Sequence, residues 1–175
     1  MKRLFIGLFF VIFLNAGAIK VPEGMKVTFL QKVTNQQKKV IKYSGNLIIW
    51  KNRVKWSYTK PSKKEVCSDG VKLVVVDHEL EQVGFYKMNK AFNLKKIIQN
   101  ARHYKDNIYV AKYQNKNYTI AVDKNGLISQ IAYKDDMDNV VNIHFNNIKI
   151  LKKAPSTKAL ICPYPKSYDL LGGNF

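Results

Sequence analysis

The residues best able to do chemistry are three histidines and a short acidic run. His78, His103 and His144 are far apart, and none lies in an HExxH motif or another spacing of paired metal ligands. The run Asp135 to Asp138 lacks the central glycine and terminal glutamate of a calcium loop. The sequence also contains no GxSxG motif and no phosphate-binding glycine loop. It therefore predicts a protein that is not an enzyme and needs no metal or cofactor.

The amino terminus has the order typical of a signal peptide. Met1-Lys2-Arg3 is basic, Leu4 to Leu14 is apolar apart from Gly7, and Ala16-Gly17-Ala18 offers small residues to a signal peptidase. The apolar run is too short to span a bilayer. We expect an exported protein, with residues 1–18 removed after Ala18 and residues 19–175 forming a single, monomeric domain.

The protein is strongly basic, with a formal net charge of +18 that would fall to +16 without Lys2 and Arg3. Such a charge can indicate nucleic-acid binding. Here the lysines are spread along the chain, and many alternate with apolar residues, as on the solvated face of a sheet. An exported protein also rarely meets nucleic acid, so anionic membrane surfaces or acidic partner proteins are the better candidates.

Cys67 and Cys162 are the two cysteines, and they form neither a CxxC pair nor a metal-ligand pattern. Outside the cytoplasm a disulfide between them is permitted. A structural disulfide and two separate buried thiols both fit the sequence, whereas a catalytic thiol does not.

Hydropathy periods predict two short helices within a chain of strands. Apolar residues at helical spacing indicate amphipathic helices over 23–33, through Val27, Leu30 and Val33, and over 91–101. Elsewhere the period is two, as in Arg53 to Tyr58, and short turns separate nine or ten antiparallel strands. The predicted fold is mainly β (α+β): a strongly curved antiparallel sheet, an incomplete barrel, whose apolar concave face is covered by the helices.

An ordered series of short motifs resembles the family of outer-membrane lipoprotein carriers, LolA. The motifs are Phe29 to Val33, then Ser44-Gly45-Asn46-Leu47, Lys55 to Tyr58 with Pro61 after it, Ser68-Asp69-Gly70, and Glu81-Gln82-Val83. The match runs through the family's N-terminal half, and beyond about residue 100 it is mainly a pattern of strands and turns.

The resemblance implies a half-barrel that works in the periplasm as a lipoprotein chaperone. It would accept acylated lipoproteins from an inner-membrane lipoprotein-releasing transporter and deliver them to the outer membrane, where a receptor is a further candidate partner. The residues expected to bind the acyl chains are Leu47, Ile49, Val54, Trp56, Tyr58, Val66, Leu73, Val75 and Phe85. The residues expected in the lid helices are Phe29, Leu30, Leu94, Ile97 and Ile98.

One departure from the family pattern concerns the lid. The family usually carries an Arg-Pro pair before the tryptophan strand, with the arginine associated with holding the lid. This chain has Lys51-Asn52-Arg53 there, which leaves Lys51 or Arg53 as candidates for the latch. A periplasmic module that binds lipid or senses lipoproteins on the same fold is the alternative function.

Overall fold

A computed structural model describes residues 19–87 and 93–172. The predicted signal peptide, residues 1–18, lies outside the described residues. The described chain forms twelve strands, one α-helix and one 3-10 turn. The strands are β1 (Gly24–Thr34), β2 (Val40–Trp50), β3 (Arg53–Lys60), β4 (Lys64–Ser68), β5 (Lys72–Asp77), β6 (Gln82–Lys87), β7 (Arg102–Lys105), β8 (Ile108–Tyr113), β9 (Lys116–Val122), β10 (Ile128–Lys134), β11 (Val140–Ile150) and β12 (Asp169–Leu171). The helix is α1 (Leu94–Gln99), and the 3-10 turn is Thr157–Leu160.

All twelve strands belong to one open sheet. Its order is β12-β6-β5-β4-β3-β2-β1-β11-β10-β9-β8-β7, so that β12 and β7 form the edges. Neighbouring strands are antiparallel, except that β12 runs parallel to β6. Short hairpins connect most neighbouring strands. The exception is the pair β1 and β11, which are adjacent in the sheet although they lie near opposite ends of the sequence. The prediction of a single antiparallel sheet with little helix is therefore confirmed, with more strands than expected.

The sheet curls tightly around its main core. Trp56 on β3 and Phe145 on β11 are three strands apart, which would separate them by about 14 Å in a flat sheet. Their ring centroids lie only 6.2 Å apart. We call the face that carries these rings the inner face. The half of the inner face on β8–β11 is densely filled, because Tyr109, Ile120 and Ile143 are all nearly inaccessible to solvent.

The opposite, outer face of β3–β6 carries a second, smaller core. Val76 and Val83 are fully buried there, together with Cys67. Residues after β11 cover this surface, and Cys162 forms a disulfide with Cys67. Lys55 Nζ adds a hydrogen bond of 2.8 Å to the carbonyl oxygen of Ile161. The carboxy-terminal segment, which the sequence left without regular structure, is thus fixed to the back of β3–β6 and ends in strand β12.

The prediction of a helix over 23–33 is wrong, because Gly24–Thr34 form strand β1. Met25, Val27 and Phe29 alternate on the inner face and are buried. Leu30, which completed the apparent helical spacing, points to the outer face and is 57% exposed. Phe29 and Leu30 are therefore not lid-helix residues.

Gly45 is required for the packing of the inner face. A Cβ atom at this position of β2 would collide with the carbonyl oxygen of Ser57 and the ring of Phe29. We expect Gly45→Ala to lower the free energy of unfolding by about 1–3 kcal/mol, since a packed core resists added volume. Urea denaturation would measure the change, with Ser44→Ala as the neighbouring control. Equal stability of the two variants would contradict this packing.

The disulfide should contribute strongly to stability, since its two cysteines are 95 residues apart. Cross-linking a loop of that length removes chain entropy worth about 4.7 kcal/mol from the unfolded state. Dithiothreitol should therefore lower the urea midpoint of the wild-type protein and leave that of Cys67→Ser/Cys162→Ser unchanged. An identical midpoint with and without reductant in the wild type would show that the bond does not stabilise the fold.

Candidate functional site

A cavity of about 990 Å³ lies against the inner face of the sheet. Its wall is made of side chains that alternate along β1–β5, all directed to the same face. These residues are Met25, Leu47, Ile49, Val54, Trp56, Tyr58, Val66, Ser68, Leu73 and Val75. The inner face is thus divided into a filled half beneath β8–β11 and a half beneath β1–β5 that borders the cavity.

Eight of the nine predicted wall residues line this one cavity: Leu47, Ile49, Val54, Trp56, Tyr58, Val66, Leu73 and Val75. The ninth, Phe85, does not. It pairs with Val74 on the outer face, belongs to the second core and packs its ring 6.3 Å from that of Tyr164. The assignment of Phe85 to the wall is wrong because the apolar residues of β6, Val83 and Phe85, face the second core. The neighbouring β5 carries apolar side chains on both faces, so its pattern does not reveal which face they share.

Helix α1 also contributes to the lining of the cavity. Asn93 caps it, accepting a hydrogen bond from the backbone N–H of Lys96 at 3.1 Å. Leu94 and Ile98 line the cavity, whereas Ile97 is fully buried in the main core. The helix predicted over 91–101 is therefore present as Leu94–Gln99, and its three predicted apolar residues point into the protein.

The lining residues that the sequence did not predict include Met25, Ile128 and Tyr133. Met25 lies on the strand that was predicted as a helix, while Ile128 and Tyr133 lie on β10. β10 is remote in sequence from β3–β5 and reaches the cavity only because the sheet curls. Alternation within β10 could have identified its buried face, but no local signal indicates which part of the core that face meets.

An aromatic cluster borders the cavity and contributes Trp56 and Tyr58 to its lining. The ring of Phe29 lies 5.0 Å from that of Trp56 and 5.1 Å from that of Tyr58, in edge-to-face geometry. The Tyr58 hydroxyl donates a hydrogen bond of 3.1 Å to Oε1 of Gln31. Burial raises the pKa of Tyr58 well above its ordinary value, and burial likewise raises that of Tyr133 to about 12. Both phenols are therefore neutral donors at physiological pH.

Next to this cluster, an ion pair marks the end of the apolar wall. Lys64 Nζ lies 2.8 Å from Oδ2 of Asp77. Oδ1 of Asp77 accepts hydrogen bonds of 3.2 Å from the backbone N–H groups of Glu79 and Leu80. Burial alone would raise the pKa of Asp77, but the hydrogen bond from Lys64 and those from the backbone hold it below the ordinary value.

The other end of the cavity is an open mouth formed by turns. It is bordered by residues 20–23, by the β2–β3 turn with Lys51 and Asn52, and by the β4–β5 turn with Gly70 and Val71. Gly70 has a φ of +96°, and a Cβ atom there would approach Asn52 Cβ to 3.1 Å, so the two turns pack closely. Val71 is 71% exposed at the rim.

The mouth is mainly basic. Lys20, Lys51, Lys95 and Lys96 border it, against two acidic residues, Glu23 and Asp69. Backbone hydrogen bonds from Lys72 and Val71 hold the pKa of Asp69 below its ordinary value, so this carboxylate stays ionised while it shapes the turn.

The two latch candidates sit near the mouth without an observed bond to α1. Lys51 Nζ lies 3.3 Å from Oε1 of Glu23, in an exposed ion pair. Arg53 begins β3 opposite Trp50 and is exposed. The hydrogen bond that connects α1 to this turn runs instead from Lys95 Nζ to Oδ1 of Asn52, at 3.4 Å.

The cavity has room for an apolar guest. A methylene group is similar in size to a water molecule, whose share of liquid volume is about 30 Å³, so the cavity could accommodate roughly 30 methylene groups.

Within residues 19–87 and 93–172, no group of three or more His, Cys, Asp or Glu residues could hold a metal ion. No helix in these ranges has the length and apolar character needed to cross a bilayer.

Comparisons with known proteins agree with this geometry. The family model described as "Outer membrane lipoprotein carrier protein LolA" matches residues 21–106. An outer-membrane lipoprotein carrier protein of Campylobacter jejuni is 32% identical over 98% of this chain and 99% of its own length. A protein of the same name from Helicobacter hepaticus is 23% identical over 85% of this chain and 83% of its own.

Two solved structures share the fold. A LolA superfamily protein from Nitrosomonas europaea superposes with a TM-score of 0.53 at 10% identity, covering 82% of this chain and 93% of its own. An uncharacterised conserved protein from Thermus thermophilus gives a TM-score of 0.53 at 9% identity, covering 86% of this chain and 91% of its own.

The ion pair at the end of the wall should make stability depend on pH. Because the pKa of Asp77 is lowered in the folded protein, its contribution is complete above the ordinary value of about 3.9 and is lost as pH falls through the lower, folded value. We expect Lys64→Met to reduce the loss of stability on acidification, measured as urea midpoints at a series of acidic pH values. An unchanged pH profile in this variant would contradict the coupling.

Proposed function

This chain belongs to the LolA family of outer-membrane lipoprotein carrier proteins, and we propose on that premise that it is a periplasmic carrier of acylated lipoproteins. The acyl chains of the cargo would lie in the cavity beneath β1–β5. The observation that carries the proposal is the largely apolar wall on one face of five strands, open to solvent at a mouth.

The energetics favour such a cavity. Burying an acyl chain is worth about 0.8 kcal/mol per methylene group, so a lipoprotein with long chains cannot cross water unassisted. The wall offers apolar contact without a charged side chain between Val54 and Val75. Binding and release require no bond to be made or broken, in keeping with a carrier rather than an enzyme.

Helix α1 is the element best placed to act as the lid. It is short, with Ile97 anchored in the core, while Leu94 and Ile98 face the cavity. Its hydrogen bond to the β2–β3 turn is long, at 3.4 Å between Lys95 Nζ and Asn52 Oδ1. We infer that α1 shifts to admit the chains while the hydrogen-bonded wall stays in place. The latch role of Lys51 or Arg53 stays a prediction.

The charge at the mouth fits the expected partners. Lysines around the opening would attract acidic loops of an inner-membrane transporter or of an outer-membrane receptor, and anionic lipid headgroups as well. Export to the periplasm, after cleavage behind Ala18, is part of the proposal. The disulfide between Cys67 and Cys162 supports an oxidising compartment.

The proposal predicts a one-to-one complex between the mature protein and a purified triacylated lipoprotein, observed by native mass spectrometry. The non-acylated form of the same lipoprotein is the control, because it lacks only the chains that the cavity would bury. A complex that forms equally well with both forms would contradict acyl binding. A copurifying phospholipid that the lipoprotein fails to displace would favour the lipid-binding alternative.

Two neighbouring residues of β2 provide a matched test of the cavity. Ile49 lines it, whereas Ile48 points to the outer face. Ile49→Gln places an amide against the acyl chains and should weaken lipoprotein binding about tenfold or more, since desolvating an unpaired amide costs roughly 1–3 kcal/mol. Ile48→Gln should leave the affinity unchanged. Equal affinities of the two variants in a titration would place the binding surface elsewhere.

A further inference from the structure

The inner wall beneath β3–β5 is built of rows that cross the strands. Antiparallel pairing sets Val54, Ser68 and Leu73 side by side near the mouth, and Trp56, Val66 and Val75 two residues further in. The third row is Tyr58, Lys64 and Asp77. The wall is therefore apolar in its middle row and becomes polar at the next row, on the side away from the mouth.

The side chains of the third row are held in place. Lys64 and Asp77 form the ion pair described above, and Asp77 is fixed in addition by two backbone N–H groups. Tyr58 is packed against Phe29 and bonded to Gln31. An acyl chain that reached this row would have to displace a charge pair whose carboxylate side chain is only 15% exposed.

The cavity ends at the same row. Its lining includes Tyr58, Val66 and Val75, whereas Lys64 and Asp77 lie just outside it. The Lys64 side chain is 40% exposed, so solvent begins beyond the ion pair. From Val54 to Tyr58 the wall extends four residues, or roughly 14 Å at about 3.4 Å per residue.

We propose that the row Tyr58, Lys64 and Asp77 is a polar stop that sets the length of acyl chain this cavity accepts. The inference rests on the proposed carrier function and names its specificity-determining residues. Each additional methylene group raises the affinity of the ligand as long as it contacts the apolar rows. Beyond the stop, further methylene groups meet charge or water and gain nothing.

The test uses single-chain probes, N-acylglycines with saturated chains from decanoyl to eicosanoyl, titrated into the full mature protein in competition with a fluorescent fatty acid. In the wild type, affinity should rise about fourfold per methylene group, equivalent to ~0.8 kcal/mol, and then level off at a break point. Lys64→Met/Asp77→Asn removes the charges and retains an oxygen acceptor for the turn. Its break point should move to longer chains.

The matched control is an ion pair on the outer face of β3 and β4. Lys55 Nζ lies 2.9 Å from Oε1 of Glu65 on the outer face, so Lys55→Met/Glu65→Gln should leave the break point where it is. A second variant tests the stop from the other side: Val75→Phe narrows the last apolar row and should move the break point to shorter chains.

The possible failures are distinct. Saturable binding without a break point, or break points that stay the same in Lys64→Met/Asp77→Asn and in Val75→Phe, would overturn the polar stop and leave the carrier function standing. Absence of saturable binding for every chain length in the wild-type protein would overturn the proposed function itself, and the stop with it.

Discussion

The structure depends on one constraint. An extensive apolar inner face must be kept from water, although the described residues form a single α-helix of only six residues. Beneath β8–β11 the curled sheet fills itself, and residues such as Ile120 and Ile143 are almost fully buried. Beneath β1–β5 the inner face borders the cavity instead, and the six-residue helix α1 adds only two apolar residues, Leu94 and Ile98, to the lining. The cavity is the consequence of this unequal filling, and Trp56 lies at the boundary between the two halves.

The same strands that border the cavity are supported from behind. Val74 and Val76 of β5 face the second core on the outer face, while Leu73 and Val75 face the cavity. The disulfide from Cys67, whose neighbours Val66 and Ser68 line the cavity, fixes the carboxy-terminal segment to this outer face. Because the wall is packed on its outer side, its shape does not depend on α1, which fits the shift of α1 proposed above.

The sequence predicts the direction of a side chain reliably only where its strand buries one face of the sheet. Val54, Trp56 and Tyr58 were identified because β3 alternates apolar and polar residues. On β5 alternation gives no answer, because both of its faces are apolar, and it therefore does not indicate that Val83 and Phe85 of the neighbouring β6 share the outer face. In β1 the polar Gln31 interrupts the inner face and Leu30 is exposed, so the apolar residues imitate a helical spacing. The disulfide and the parallel pairing of β12 with β6 join residues too remote in sequence for local patterns to reveal.

The central claim is that the acyl chains lie beneath β1–β5 and not elsewhere on the sheet. Photo-crosslinking tests it most directly: a lipoprotein whose acyl chains carry a diazirine is bound, irradiated and digested, and the labelled residues are read by mass spectrometry. We expect labels on Ile49, Val54, Val66, Val75 and Ile98. Labels concentrated on the outer face, around Phe85 and Tyr164, or spread evenly over the surface, would contradict it.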